Sequence, residues 1–279
     1  MLTIKDKIFC GDCAQFLKEY PSEAVDLIVT SPPYSNRRKH SYSGVSPEKY
    51  VDWFLPISEE LYRILKSRGS FILNIKEGAN GERETYVLEL ILALRKQGWL
   101  WTEEYIWHKT TSMPGKWPNR FRDAWERCLH FTKEKNFKMY QTAVKVPIGN
   151  WAKKRMKELS QNDLKRTSSA TNSGFGRNLN NWKNRRKVFP DNVLNFAPVC
   201  NNKEHSAAFP KELPSWFIKL FTKKGDTILD PFIGSGTTAV AALELNRHYS
   251  GIELDKEYCL IANKNIVLSQ KETKNNTIE

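Results

Sequence analysis

The chain has 279 residues, 40% of them hydrophobic, and its 44 Lys and Arg against 31 Asp and Glu give a formal net charge of +13. Such a length suits one large α/β domain or a domain with an insertion, and so basic a surface favours a polyanionic partner such as nucleic acid. "MLTIKDKIFC" lacks the apolar core of a signal peptide and no run approaches the about 18 apolar residues of a membrane span, so a cytoplasmic protein with no membrane partner is expected. Cys10 and Cys13 form a C-x-x-C, but Cys128, Cys200 and Cys259 stand apart; no second pair completes a metal site, and reduced thiols are expected.

In chain order, "KIFCGDC" reads as a strand, "AQFLKEYP" as a helix and "AVDLIVT" as a second strand, a β-α-β pattern. That strand stops abruptly in Ser31-Pro32-Pro33-Tyr34. Ser46 and Pro47 then make an N-cap and first turn, and Tyr50, Val51, Phe54, Leu61, Ile64 and Leu65 keep helical spacing until Gly69, with Pro56 as a kink. "SFILNI" has the continuous apolar character of a parallel-sheet strand, and "TYVLELILALRKQG" is a helix closed by Gly98. "LWTEEYIWHK" and "RCLHFTK" are further strands.

The character changes after about Lys135. From Trp151 to Lys187 eleven basic residues face only Glu158 and Asp163, a local charge of +9, and "SSATNSGFGRNLNN" has no core periodicity. This reads as a basic loop or small insertion, or as a merely solvated surface. Regularity returns with "PSWFIKLFTKKG" as an amphipathic helix, "DTILD" as a strand, "TTAVAALELN" as a helix, "HYSGIELD" as a strand and "KEYCLIANKNIVLSQ" as a helix, before "KETKNNTIE" as a frayed tail.

"LDPFIGSGTT" joins strand to helix through Gly234 and Gly236, which let the backbone pass close to a ligand, and Glu253 ends the next strand where it can accept from ribose hydroxyls. Together they point to a nucleoside-containing cofactor. The lysine of a phosphate-binding G-x-x-x-x-G-K-[ST] loop is missing. The glycine turn lies near the C-terminus, so the order looks circularly permuted. With "DTILD" central and "HYSGIELD" beside it, "KIFCGDC" fills the third position and carries Asp12 to the cofactor's base.

"TSPPY" followed by "DPFIGSGTT", with a basic stretch between, resembles the amino-group DNA methyltransferases of the permuted beta class, the N4-cytosine and N6-adenine family found in restriction-modification systems. The resemblance extends over residues 1 to about 135 and 200 to 268. It implies an α/β fold, a Rossmann-like S-adenosylmethionine methyltransferase sheet that is circularly permuted, with a target-recognition insertion. The expected layout is a catalytic part at 1–136, a basic target-recognition insertion at 137–197, a cofactor-binding part at 198–270 and a flexible tail at 271–279. S-adenosyl-L-methionine is the implied cofactor and double-stranded DNA the implied partner, with a cognate restriction endonuclease in attendance and a monomer or homodimer as the assembly.

The chemistry accounts for the turn. An exocyclic amine is a poor nucleophile because its lone pair is delocalised into the base, so acceptors at the Ser31 hydroxyl and the Pro32 carbonyl would draw its hydrogens out of plane. Pro33 stiffens the loop and Tyr34 offers a ring on which an extruded base can stack. Ring-carbon methylation needs a cysteine nucleophile, in that family after a proline, and the chain has no Pro-Cys dipeptide.

The resemblance further assigns Asp12, Phe209, Pro210, Asp230, Phe232, Gly234, Ser235, Gly236, Thr237 and Glu253 to the cofactor. Arg37, Arg38 and Lys39, with His40, are candidates for flanking phosphates, and "NNWKNRRK", with Lys183, Arg185, Arg186 and Lys187, and the loop "TTSMPGKWPNR" are candidates for groove contacts or for filling the gap left by the base; the basic residues also fit solvated loops. Ser rather than Asp at position 31 favours cytosine N4, with adenine N6 as the alternative. A protein-amide methyltransferase shares a similar turn but places its cofactor motif first, and a catalytically inactive DNA-binding protein would not need Ser31, Tyr34, Gly234, Gly236 and Glu253 intact.

Overall fold

Eight strands pair into one sheet whose edge carries the Ser-Pro-Pro-Tyr turn and the glycine turn. The computed structural model describes residues 3–35, 44–111, 115, 118–150, 154, 157, 186–199 and 209–275. The elements are β1 (Lys7–Cys10), α1 (Cys13–Phe16), β2 (Val25–Thr30), α2 (Pro47–Ile64), β3 (Leu65–Ile75), the short pair β4 (Ala79–Asn80) and β5 (Glu82–Arg83), and α3 (Tyr86–Lys96). There follow β6 (Leu100–Lys109), β7 (Trp125–Thr132), β8 (Val146–Pro147), β9 (Lys187–Val188), β10 (Val193–Phe196), α4 (Glu212–Phe221), β11 (Thr227–Asp230), α5 (Thr237–Glu244), β12 (His248–Glu253) and α6 (Lys256–Asn275).

The main unit comprises Met1–Tyr140 with Asn192–Glu279. Its strand order is β1-β12-β11-β2-β3-β7-β6-β10, and only β7 runs against its neighbours. The expected permutation is therefore realised: "DTILD" lies beside "HYSGIELD", which pairs with the N-terminal strand. β2 is buried along its whole length, which is why Leu27, Ile28 and Val29 show no alternation. From α2, Tyr50, Phe54, Ile57, Leu61 and Ile64 enter the core, each gaining about 1.5–3 kcal/mol by leaving water.

The smaller unit spans Gln141–Asp191. Within it β8 and β9 pair antiparallel, and Lys145 Nζ sits 4.6 Å from the Phe189 ring centroid. Strand β10, inside the stretch read as an insertion, is an edge strand of the main sheet.

Local expectations need correction at the end of α2, at the end of α6 and at two cysteines. The helix ends at Ile64 rather than Gly69, and β3 starts at Leu65 with a register shift between Val25 and Leu27. Gly69 is needed in that irregular strand, because a Cβ there would lie 2.9 Å from the Asp26 carbonyl oxygen. Pro56 lies inside α2, as the sequence predicts. Helix α6 carries on to Asn275, beyond the residue where a tail was expected. Cys10 and Cys259, expected as thiols, are joined in a disulfide with Cα atoms 6.1 Å apart, because the topology sets the start of α6 beside the end of β1. Cys13 and Cys128 are buried free thiols. No described helix is long and apolar enough to cross a membrane, and the described residues contain no cluster suited to a metal ion.

Candidate active site

β2 delivers Ser31-Pro32-Pro33-Tyr34 to the carboxyl edge of the sheet, with Pro32 buried and the other three half-buried. Helix α2 steadies this turn from behind: the Tyr50 hydroxyl donates to the Pro33 carbonyl at 3.0 Å. In front, the Tyr34 hydroxyl donates to Glu126 Oε2 at 2.7 Å, and Lys109 Nζ donates to Glu126 Oε1 at 2.6 Å. Burial, then the Glu126 charge, pushes the Tyr34 phenol well above its ordinary pKa. Ser31 Oγ lies 3.4 Å from the same hydroxyl, and Asn74 Oδ1 also lies 3.4 Å away. Asn74 is in turn fixed by its Nδ2, which donates to the Arg127 carbonyl at 3.1 Å.

The neighbouring strand supplies the glycine turn. β11 pairs with β2 in register Ile228 to Leu27 and Leu229 to Ile28, so Asp230 and Thr30 leave the sheet together. Thr30 Oγ1 donates to Asp230 Oδ1 at 2.6 Å. The same carboxylate accepts from Thr238 Oγ1 at 2.7 Å and from the Phe232 amide at 3.1 Å. Burial nevertheless lifts its pKa to about 6, against the pull of these donors. Asp230 thus ties the proposed catalytic strand, the glycine turn and the start of α5 into one joint.

Around that joint, Glu253 Oε2 accepts from the Gly234 amide and Oε1 from the Asp255 amide, both at 2.9 Å. Cys10 of β1 pairs with Glu253, and the Gly11 amide donates to the Glu253 carbonyl at 2.8 Å, which brings Asp12 and Glu253 to adjacent strand ends. Asp12 caps α1 through its Oδ1, 2.9 Å from the Ala14 amide. Gly234 and Gly236 both have positive φ, +54° and +89°. At Gly236 the close approach is to protein: an added Cβ would sit 3.1 Å from Ala262 of α6. Phe209 and Pro210 are buried before α4, whereas Ser235 and Thr237 are half-buried.

Two motifs some two hundred positions apart thus meet at one sheet edge, and the sequence around them matches a known family. The family profile described as DNA methylase, of the N6/N4 type, covers residues 25–264. This chain belongs to that DNA methylase family. The methylase is 28% identical to the Type II methyltransferase M.PvuII of Proteus hauseri over 92% of its own length and 82% of the relative's. It is 31% identical to the Type II methyltransferase M.HinfI of Haemophilus influenzae, covering 93% and 67% of the two chains. Among solved structures, the PvuII DNA methyltransferase (cytosine-N4-specific) aligns with a TM-score of 0.70 and 24% identity over 94% of this chain and 86% of that one. A complex of M1.HpyAVI with S-adenosylmethionine aligns at 0.57 and 20% identity, covering 93% and 98%.

Several residues of the methylase that shape the site carry no signal in the sequence. Tyr50 and Trp53 share one face of α2, and Trp53 packs 5.8 Å from Phe232, so this helix touches both turns. Their helical spacing marks them only as core. Asn74, Lys109 and Glu126 come from three strands, and nothing in their local sequence announces that they converge on Tyr34. Of the expected DNA-contacting residues, Arg37, Arg38 and Lys39, like His40, and Lys183 and Arg185 lie outside the described residues. Arg186 and Lys187 are exposed in the smaller unit.

Proposed function

We propose that this DNA methylase transfers the methyl group of S-adenosyl-L-methionine to the exocyclic N4 amine of cytosine in double-stranded DNA, after turning the base out of the helix. The observation that carries the reading is the Thr30–Asp230 hydrogen bond of 2.6 Å, which fixes the Ser-Pro-Pro-Tyr turn beside the glycine turn.

The donor set fits the cofactor. Asp12 and Glu253 stand at adjacent strand ends as acceptors for an adenine amine and ribose hydroxyls, and "DPFIGSGTT" carries no lysine for a phosphate. Phe232, Gly234, Ser235 and Thr237 line the turn, with Phe209 and Pro210 on the methionine side, while Asp230 and Gly236 hold the turn's shape. When bound, S-adenosyl-L-methionine supplies an electrophilic methyl group that a nitrogen lone pair can take directly.

The rest is done by the chain itself. Ser31 Oγ and the Pro32 carbonyl accept the two amine hydrogens, which localises the lone pair on nitrogen. The Tyr34 ring forms the floor on which the base stacks, and Glu126 with Lys109 keeps that ring from turning. The basic residues between positions 151 and 187 neutralise DNA phosphates. Serine at position 31, and the likeness to a structure named cytosine-N4-specific, support cytosine over adenine.

Purified protein incubated with labelled S-adenosyl-L-methionine and bacterial genomic DNA is expected to label the DNA, with N4-methylcytosine in the nucleoside digest by mass spectrometry. N6-methyladenine as sole product would overturn the choice of base; no label in any DNA would overturn the whole reading.

A further inference from the structure

The loop between β6 and β7 holds an aromatic side chain in water. β6 ends and β7 begins at the same sheet edge, where His108 pairs with Trp125, so residues 118–124, which lead into β7, lie on the side that carries Ser31 and Tyr34. Phe121 on that loop is 95% exposed. Its neighbours are tied down. Arg120 donates to Asp123 Oδ2 at 3.1 Å, while Asp123 Oδ1 takes Lys76 at 3.2 Å and Arg83 at 3.3 Å. Lys76 is buried, and its Nζ also donates to the Trp125 carbonyl at 2.6 Å. An ionic knot centred on Asp123 therefore anchors the loop on both sides of Phe121 while the ring itself stays out.

The ring borders a groove of about 350 Å³, whose walls include Arg83, Arg120, Arg122 and Trp125, with Glu82 and Asp123 as its acidic members. The carboxylate of Asp123 is already shared among three cations, which blunts its repulsion of a polyanion. Trp125 is followed by Glu126, the group that holds the Tyr34 hydroxyl. An exposed apolar ring on an anchored loop, arginines beside it and the Ser-Pro-Pro-Tyr turn thus lie along one edge. A duplex that has lost one base from its stack offers the complement: a flat apolar gap rimmed by phosphates.

We infer that Phe121 enters the base stack as the target nucleotide leaves it, with Arg83, Arg120 and Arg122 placed for the flanking phosphates. This inference rests on the base-extrusion reading given under the proposed function. The ring is then a positioning group: it stabilises the opened duplex and takes no part in methyl transfer.

The test uses a duplex carrying the site at which DNA from an expressing strain is found methylated, alongside the same duplex with an abasic position opposite the target base. Single-turnover transfer from labelled S-adenosyl-L-methionine is measured for the wild type, Phe121→Ala and Phe121→Trp. Phe121→Ala is expected to be slower by about tenfold or more on the paired duplex and within about threefold of wild type on the unpaired one. Phe121→Trp should stay near wild type on both, and the melting temperature of each variant should be unchanged. Equal rates for Phe121→Ala and wild type on the paired duplex would overturn the inference, as would a loss that persists on the unpaired target. Failure of the wild type to methylate either duplex would instead refute the proposed function.

Discussion

Tyr34 and Glu126, 92 positions apart, are joined by a 2.7 Å hydrogen bond from the phenol to the carboxylate. Glu126 is buried and takes its counter-charge from Lys109, so one side chain sets both the tilt of the ring and the neutrality of the pocket behind it. Glu126→Ala would strand a phenol and an ammonium without their acceptor, and the turnover number is expected to fall about tenfold to a hundredfold. Glu126→Gln keeps an acceptor and should recover part of that loss. Calorimetry with S-adenosyl-L-methionine should give an almost unchanged Kd for both variants; a parallel collapse of cofactor affinity would contradict a role confined to Tyr34.

Ser31→Ala removes a proposed amine acceptor and leaves the Tyr50–Pro33 support of the turn in place. Turnover is expected to drop by about a hundredfold while DNA and cofactor affinities change little. Equal losses in rate and affinity would show that the hydroxyl binds the ground state as well.

Gly236→Ala tests the glycine turn. The residue sits at φ +89°, and its missing Cβ leaves 3.1 Å to Ala262. Left-handed strain and the approach of α6 add, so the variant should lose about 1–3 kcal/mol in urea unfolding. Addition of S-adenosyl-L-methionine should restore less stability to it than to the wild type, because the distorted turn belongs to the proposed cofactor site.

Two buried groups give opposite pH dependences. Burial lowers His130 from its ordinary 6.5 to about 3, so the unfolded chain takes up this proton first. The stability it contributes is present above about pH 6.5 and lost as the pH falls toward 3, at about 1.4 kcal/mol per pH unit. Asp230, raised by burial from 3.8 to about 6, contributes stability below 3.8 that is lost as the pH rises through 6. Between these limits the two effects oppose each other. Urea midpoints measured from about pH 7 to about pH 4 should therefore fall less steeply for His130→Phe, and more steeply for Asp230→Asn, than for the wild type. Unaltered slopes would show that neither group titrates as its burial requires.

Along the chain, apolar runs and their punctuation were enough to locate the strands of the main sheet except β10, and the Pro-Pro turn and the glycine turn were enough to suggest its chemistry. Those features are local: a buried parallel strand needs an unbroken apolar run, a tight strand-to-helix turn with positive φ needs glycine, and Pro-Pro stiffens the exit from a strand. The permuted order of strands also followed, because an N-terminal strand leading to Asp12 had one vacant place beside β12. What the sequence could not determine lies in contacts between elements far apart. The start of β3 at Leu65 was decided by its pairing with β2, which overrode a helical pattern that ran to Gly69. The meeting of Cys10 with Cys259, the locking of Thr30 to Asp230 and the convergence of Asn74, Lys109 and Glu126 on Tyr34 exist only once the sheet is assembled. A hydrogen bond reads distance and angle, not spacing in sequence, and so the partners of the Ser-Pro-Pro-Tyr turn became visible only in three dimensions.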